Sequence, residues 1–81
     1  MKITVQLFAV LREFAGTGQL DLEVPSQATP RQIAKILAER FPKFRAHLNT
    51  LSFAVNGEIV SAETKILEPS EVALLPPVSG G

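Results

Sequence analysis

Apolar and polar residues alternate at the start of the chain. Ile3, Val5 and Leu7 are separated by Thr4 and Gln6, the two-residue period of a strand with one buried face. Leu20, Leu22 and Val24 alternate with Asp21 and Glu23 and predict a second strand, ended by Pro25. Between the two, Val10 to Phe14 fits one helical turn, stopped by Gly16-Thr17-Gly18. The period changes at Thr29. Thr29 can cap a helix, Pro30 suits its first position and Gln32 completes a capping box. Ile33, Ile36, Leu37 and Phe41 then fall on one helical face. Pro42 ends the helix, because the residue before a proline avoids helical geometry.

The last third returns to alternation. Phe53 and Val55 alternate with Ser52 and Ala54 before Asn56-Gly57, a dipeptide that tolerates positive φ at both positions and marks a two-residue hairpin. Glu58-Ile59-Val60 is the return strand. Glu68-Pro69-Ser70 reads as a turn, and Glu71 to Leu75 as a final strand. The order strand, strand, helix, strand, strand, strand is most simply packed as an α+β domain, with one main helix lying across one face of a mixed sheet. That is the β-grasp arrangement. The predicted division is a β-grasp domain over 1–75 and an extended tail over 76–81.

If the helix covers one sheet face, the other is open. Ile3, Val5 and Leu7 face the helix, so Phe8 points away from it. In a hairpin turning at Asn56-Gly57, Ala54 pairs with Ile59 and Phe53 with Val60, which puts Ile59 on the open side. Val72 and Leu74 share the core face and leave Leu75 on the other. Phe8, Ile59 and Leu75 are thus expected on the open face as a partner site; the competing reading folds them back into the core at twisted strand ends.

The tail is Pro76-Pro77-Val78-Ser79-Gly80-Gly81. Its prolines favour an extended exit from the sheet, and its glycines leave a thin backbone without side chains. Six extended residues reach about 20 Å, so the arm can place a terminal carboxylate inside another protein. Small residues are also common at termini for no functional reason.

Composition removes several classes of function. Apolar residues make up 46% of the chain, so it should fold, and it contains no cysteine to form a disulfide, a thiolate nucleophile or a persulfide. Formal net charge is zero, which argues against nucleic acid as a partner. No apolar run is long enough for a membrane span and no signal peptide is evident, so a cytoplasmic protein is expected. His47 is the only histidine and has no second ligand or triad partner near it; a structural or solvent role is expected. The carboxylates are scattered, with no pair placed for acid–base work and no metal site. No intrinsic cofactor and no turnover by the isolated chain are therefore expected. Arg31, Lys35, Arg40, Lys43 and Arg45 cluster in the middle of the chain, opposed there only by Glu39, and Glu58, Glu63, Glu68 and Glu71 dominate its last third, opposed only by Lys65. This asymmetry either steers a partner toward an acidic, tail-bearing end or reflects two solvated faces.

Three segments carry a resemblance: Leu7-Phe8-Ala9-Val10-Leu11-Arg12-Glu13-Phe14-Ala15-Gly16, Ala54-Val55-Asn56-Gly57, and Glu71 through Gly81 with its ending Pro-Pro-Val-Ser-Gly-Gly. They resemble the small subunit of molybdopterin synthase, of the ubiquitin-like sulfur carriers. Leu74-Leu75 stands where that family commonly has aromatic residues, so the contact there is expected to be smaller. The resemblance implies that an adenylating enzyme uses ATP to activate the carboxylate of Gly81, and that a sulfur donor protein converts it to a thiocarboxylate. The large synthase subunit then uses this sulfur to build the dithiolene of molybdopterin on cyclic pyranopterin monophosphate. Gly80 and Gly81 would enter both active sites. Phe8, Ile59, Leu75 and the segment Pro76, Pro77, Val78 and Ser79 would contact partners, and Arg12-Glu13 would either touch the adenylating enzyme or form a local ion pair. The same scaffold also fits a carrier for thiamine synthesis or tRNA thiolation, a ubiquitin-like modifier forming isopeptide bonds through Gly81, or a plain interaction module.

Overall fold

The computed structural model describes residues 1–77. Strands β1 (Lys2–Leu7), β2 (Gln19–Glu23), β3 (Ser52–Val55), β4 (Glu58–Val60) and β5 (Glu71–Leu75) form one sheet in the order β2-β1-β5-β3-β4. The central pair β1 and β5 is parallel and the other neighbours are antiparallel. Helices α1 (Ala9–Ala15) and α2 (Pro30–Arg40) and a 3₁₀ helix (Pro42–His47) complete the domain. It is the expected β-grasp arrangement of a mixed sheet and one long helix.

Local chemistry sets the boundaries. The Thr29 hydroxyl accepts from the Gln32 backbone N–H, and the Gln32 side chain accepts from the Thr29 N–H. This reciprocal box satisfies two of the donors that a helix start leaves free. At the other end Phe41, held out of helical geometry by Pro42, lies at φ −126°, ψ 88°. Asn56 (φ 49°) and Gly57 (φ 87°) both take left-handed backbone, the turn whose twist matches a hairpin. The Asn56 side chain also accepts from the Glu71 N–H, while its own N–H donates to the Glu71 carbonyl. The hairpin is thereby tied to the start of β5.

Ile3, Val5, Leu7, Leu22, Phe53, Val72 and Leu74 point from the sheet into the core. They meet Ile33 and Leu37 of α2. Ala34 and Ala38 complete the buried stripe, whereas Ile36 and Phe41 are only half-buried. Small residues let α2 lie close to the sheet, so the stripe runs through alanines that hydropathy patterning underweights. Among the described residues every fully buried side chain is apolar.

No apolar period marks an element between Pro42 and Leu51. There the 3₁₀ helix drives Phe44 to full burial. Its ring packs edge-on against Phe14 at 6.1 Å and tilted against Phe41 at 5.6 Å. These contacts seat α1 against the connection from α2 to β3.

Candidate functional site: the open sheet face and the base of the tail

Alternation along β1, β5, β3 and β4 determines what the face opposite α2 presents. One row across the sheet reads Gln6, Ala73, Ala54, Ile59. Ala54 pairs with Ile59 and Phe53 with Val60, the register expected from a two-residue turn. Ile59 is 71% exposed. In the row nearer the end of β5, Leu75 is paired with Ser52 and is half-buried. Leu7 is paired with Leu74, so Phe8 follows beside Leu75. Phe8 is 43% exposed.

Phe8 owes its position to a change of backbone. It is extended (φ −124°, ψ 156°), and Ala9, the first residue of α1, takes a left-handed φ of 51°. The chain therefore leaves the sheet at Phe8 instead of burying it. Gly16, at φ 75°, closes the same helix by donating its N–H to the Arg12 carbonyl, the left-handed cap that glycine tolerates best.

The sheet thus brings Phe8 and Leu75 together and sets Ile59 apart from them. Ile59 and Leu75 are separated by two strand spacings and two residues along the strands, about 12 Å. Between them lie Ala54 and Ala73. The patch is a shallow alanine floor flanked by large apolar side chains, a form suited to an apolar projection on another protein. The alanines were legible only as small residues at alternating positions on two central strands. Pro76 and Pro77 continue from Leu75, the first half-buried and the second exposed. Val78, Ser79, Gly80 and Gly81 lie outside the described residues.

The expected acidic, tail-bearing end is not what the fold builds. Glu71 opens β5 and Leu75 closes it, and Glu58 lies in register with Val55 and Val72 near that opening. The exit is therefore about 13 Å along the strand from Glu71. Glu68 shares a recess with Asn56 and Glu58 at the same far end. The end of β5 lies beside the end of β1 and the start of β3, the end of the sheet that α1 and the 3₁₀ helix adjoin in the chain. There α1, the last turn of α2 and the 3₁₀ helix carry Arg12, Arg40, Lys43 and Arg45 against Glu13 and Glu39.

His47 lies with its ring 5.4 Å from that of Phe14, a packing position. Arg12 spreads over Gly18 and forms no ion pair among the described residues, so the local pair with Glu13 is not made. Among the described residues no group of three or more His, Asp or Glu gathers as a metal cluster would. No helix there is long and apolar enough to cross a membrane. Leu67, 75% exposed in the loop before β5, is an apolar surface residue that the alternation pattern did not reveal, because it belongs to no strand.

Residues 5–81 match the ThiS family. The chain belongs to that family. It is 37% identical over 84 residues to the molybdopterin synthase sulfur carrier subunit of Chlamydomonas reinhardtii, covering all of both chains. It is 32% identical over 81 residues to that of Arabidopsis thaliana, covering all of this chain and 84% of the relative. Among solved structures, SAMP1 of Haloferax volcanii, a small archaeal modifier protein, superposes with a TM-score of 0.84 at 27% identity and full coverage of both chains. The resemblance to the sulfur-carrier subunits carried by residues 7–16, 54–57 and 71–81 thus extends along the whole ThiS-family chain.

Proposed function

We propose that this ThiS-family chain is the sulfur-carrying small subunit of a molybdopterin synthase. The observation that carries the reading is the 37% identity to such a subunit along the entire length of both proteins, tail segment included. The geometry supports it, because the open-face patch continues into β5 and from there directly into the segment that leads to Gly80 and Gly81.

In this proposal the chain contributes no catalytic side chain. A carboxylate is a poor electrophile, so the Gly81 carboxylate oxygen first attacks the α-phosphorus of ATP in the adenylating partner, and pyrophosphate leaves. The outer sulfur of a donor's persulfide then attacks the acyl carbon and AMP leaves, giving an acyl disulfide. A second thiolate of the donor attacks the donor's own sulfur in that bond, the donor is left as a disulfide, and Gly81 departs as a thiocarboxylate. In the large subunit that sulfur passes to cyclic pyranopterin monophosphate, and hydrolysis regenerates the carboxylate. Gly80 and Gly81 pass through both sites because they lack side chains.

SAMP1 favours a second reading, in which the activated Gly81 is attacked by a lysine amine to form an isopeptide bond. Intact-mass analysis of the C-terminal peptide recovered from cells separates the two. One oxygen replaced by sulfur is expected for the carrier. A Gly-Gly branch on target lysines, with no thiocarboxylate detected, would replace the first reading by the second.

The patch gives a further expected outcome. Ile59→Ala removes an exposed side chain and should shift folding stability by no more than about 0.5 kcal/mol. It should nevertheless weaken binding to the large subunit, by about 2 kcal/mol if Ile59 is an anchor. Val5→Ala truncates a fully buried side chain and should cost roughly 2 kcal/mol of stability with unchanged affinity of the folded fraction. Urea melts and calorimetric titrations of both variants check this contrast, and a reversed pattern would remove the patch from the interface.

A further inference from the structure

The charges of this neutral chain are separated by the fold, and the two ends treat them differently. Each ion pair among the described residues lies away from the tail exit. The N-terminal ammonium faces Glu23 at 3.4 Å, Lys2 faces Asp21 at 4.0 Å, and Arg31 at the start of α2 binds Glu63. At the exit end Arg40, Lys43 and Arg45 are exposed, and none of them is in an ion pair among the described residues.

Two of these cations are held in place. The Arg40 guanidinium lies 5.5 Å from the centroid of the Phe41 ring, and the Lys43 ammonium 5.8 Å from that of Phe14. Phe14, Arg40, Phe41, Pro42 and Lys43 line a groove of about 180 Å³. A cation resting on a ring keeps its charge outward and has less rotamer freedom left to lose when a partner docks. Phe44, buried beneath, fixes both rings.

We infer that this aromatic-backed basic cluster is a second docking surface, and that it meets carboxylates on the large synthase subunit beside the opening that admits the tail. The inference rests on the carrier reading above. Chain direction puts the cluster toward the end of the sheet where Leu75 leads into Pro76, because the 3₁₀ helix precedes β3 and the first residue of β3, Ser52, pairs with Leu75. A partner that takes the tail approaches that end. A large-subunit occupant follows from the relatives being subunits of a synthase, because a subunit interface covers more surface than a brief encounter does. With Arg12 the cluster holds four cations against Glu13 and Glu39, and this net positive surface selects one of opposite sign.

The test is stopped-flow association of the full chain with the cognate large subunit across a range of ionic strength. The triple variant Arg40→Glu/Lys43→Glu/Arg45→Glu should associate about tenfold more slowly at low salt, or slower still, with a flattened salt dependence. Lys65→Glu, at the far end, should change the rate less than about twofold. Arg45→Glu alone, which touches no ring contact, should slow association measurably and keeps the test valid if the triple variant melts early. Wild-type rates in the triple variant, or equal slowing by Lys65→Glu, would overturn the docking surface while leaving the carrier reading intact. Slowing seen only with the adenylating partner would overturn the choice of occupant. No binding of the wild-type chain to the large subunit would overturn the carrier reading and this inference with it.

Discussion

Adding one uncleaved residue after Gly81 is expected to abolish sulfur transfer while leaving thermal stability unchanged. The added residue converts the proposed reacting carboxylate into an amide and moves the new terminus outward by about 3.5 Å. A misplacement of about 1 Å from attack geometry already costs on the order of 100-fold in rate, so several ångströms leave no measurable reaction. Deleting Gly81 should fail for the converse reason, with the carboxylate one residue short of the adenylating site. Neither change reaches the core. β5 ends at Leu75, and Pro77 is already exposed. The measurement is thiocarboxylate formation with ATP, the adenylating partner and a sulfur donor, followed by sulfur transfer in the large subunit, with a melting curve for each variant. Full transfer by the extended chain, its extra residue still attached by mass, would remove Gly81 from the chemistry.

What could be read from the sequence follows from which physical rules are local. Two-residue alternation assigns a face to each strand residue without knowledge of the partner strand. Alternation alone therefore puts Val5, Leu74 and Phe53 in the core and Ile59 outside it, as the fold does. The Asn56-Gly57 turn carries its own register, because a two-residue loop allows one pairing of Ala54 with Ile59. The Thr29–Gln32 capping box is likewise complete within four residues.

The order of strands is not local, and neither is anything that depends on it. Parity says which face Glu71 and Leu75 occupy, but only the parallel pairing of β1 with β5 says which end of the sheet each reaches. Nearness in sequence grouped the late glutamates with the tail, and strand direction carries them to opposite ends. The basic residues from Arg40 to Arg45 arrive at the exit for the same reason, because α2 runs back across the sheet before β3 begins beside Leu75. The 3₁₀ helix escaped for a different reason. Pro42-Lys43-Phe44-Arg45-Ala46-His47 has a single large apolar residue among charged and small ones, and one residue defines no period.

That single residue should be among the costliest in the chain to lose. Phe44 is completely buried, and its ring touches aromatic neighbours from α1 and from the end of α2. Truncation to alanine removes its transfer energy and leaves a cavity where α1, the end of α2 and the 3₁₀ helix meet, an expected loss of about 3–5 kcal/mol. A domain of this size has a total stability of roughly 4–12 kcal/mol, so Phe44→Ala should bring it near unfolding at room temperature. Urea denaturation measures the loss. With a slope of about 1 kcal/mol per molar for a small domain, the midpoint should fall by several molar or leave no folded baseline. Phe44→Leu, which keeps most of the apolar volume, should recover more than half of the difference. His47→Ala, which removes a half-buried ring from the face of Phe14, should cost less than about 1 kcal/mol. A Phe44→Ala variant as stable as His47→Ala would mean that the 3₁₀ segment packs on α1 without contributing to the core. The rings beneath Arg40 and Lys43 would then lose their fixed footing, and the basic cluster would no longer be preorganised at the tail exit.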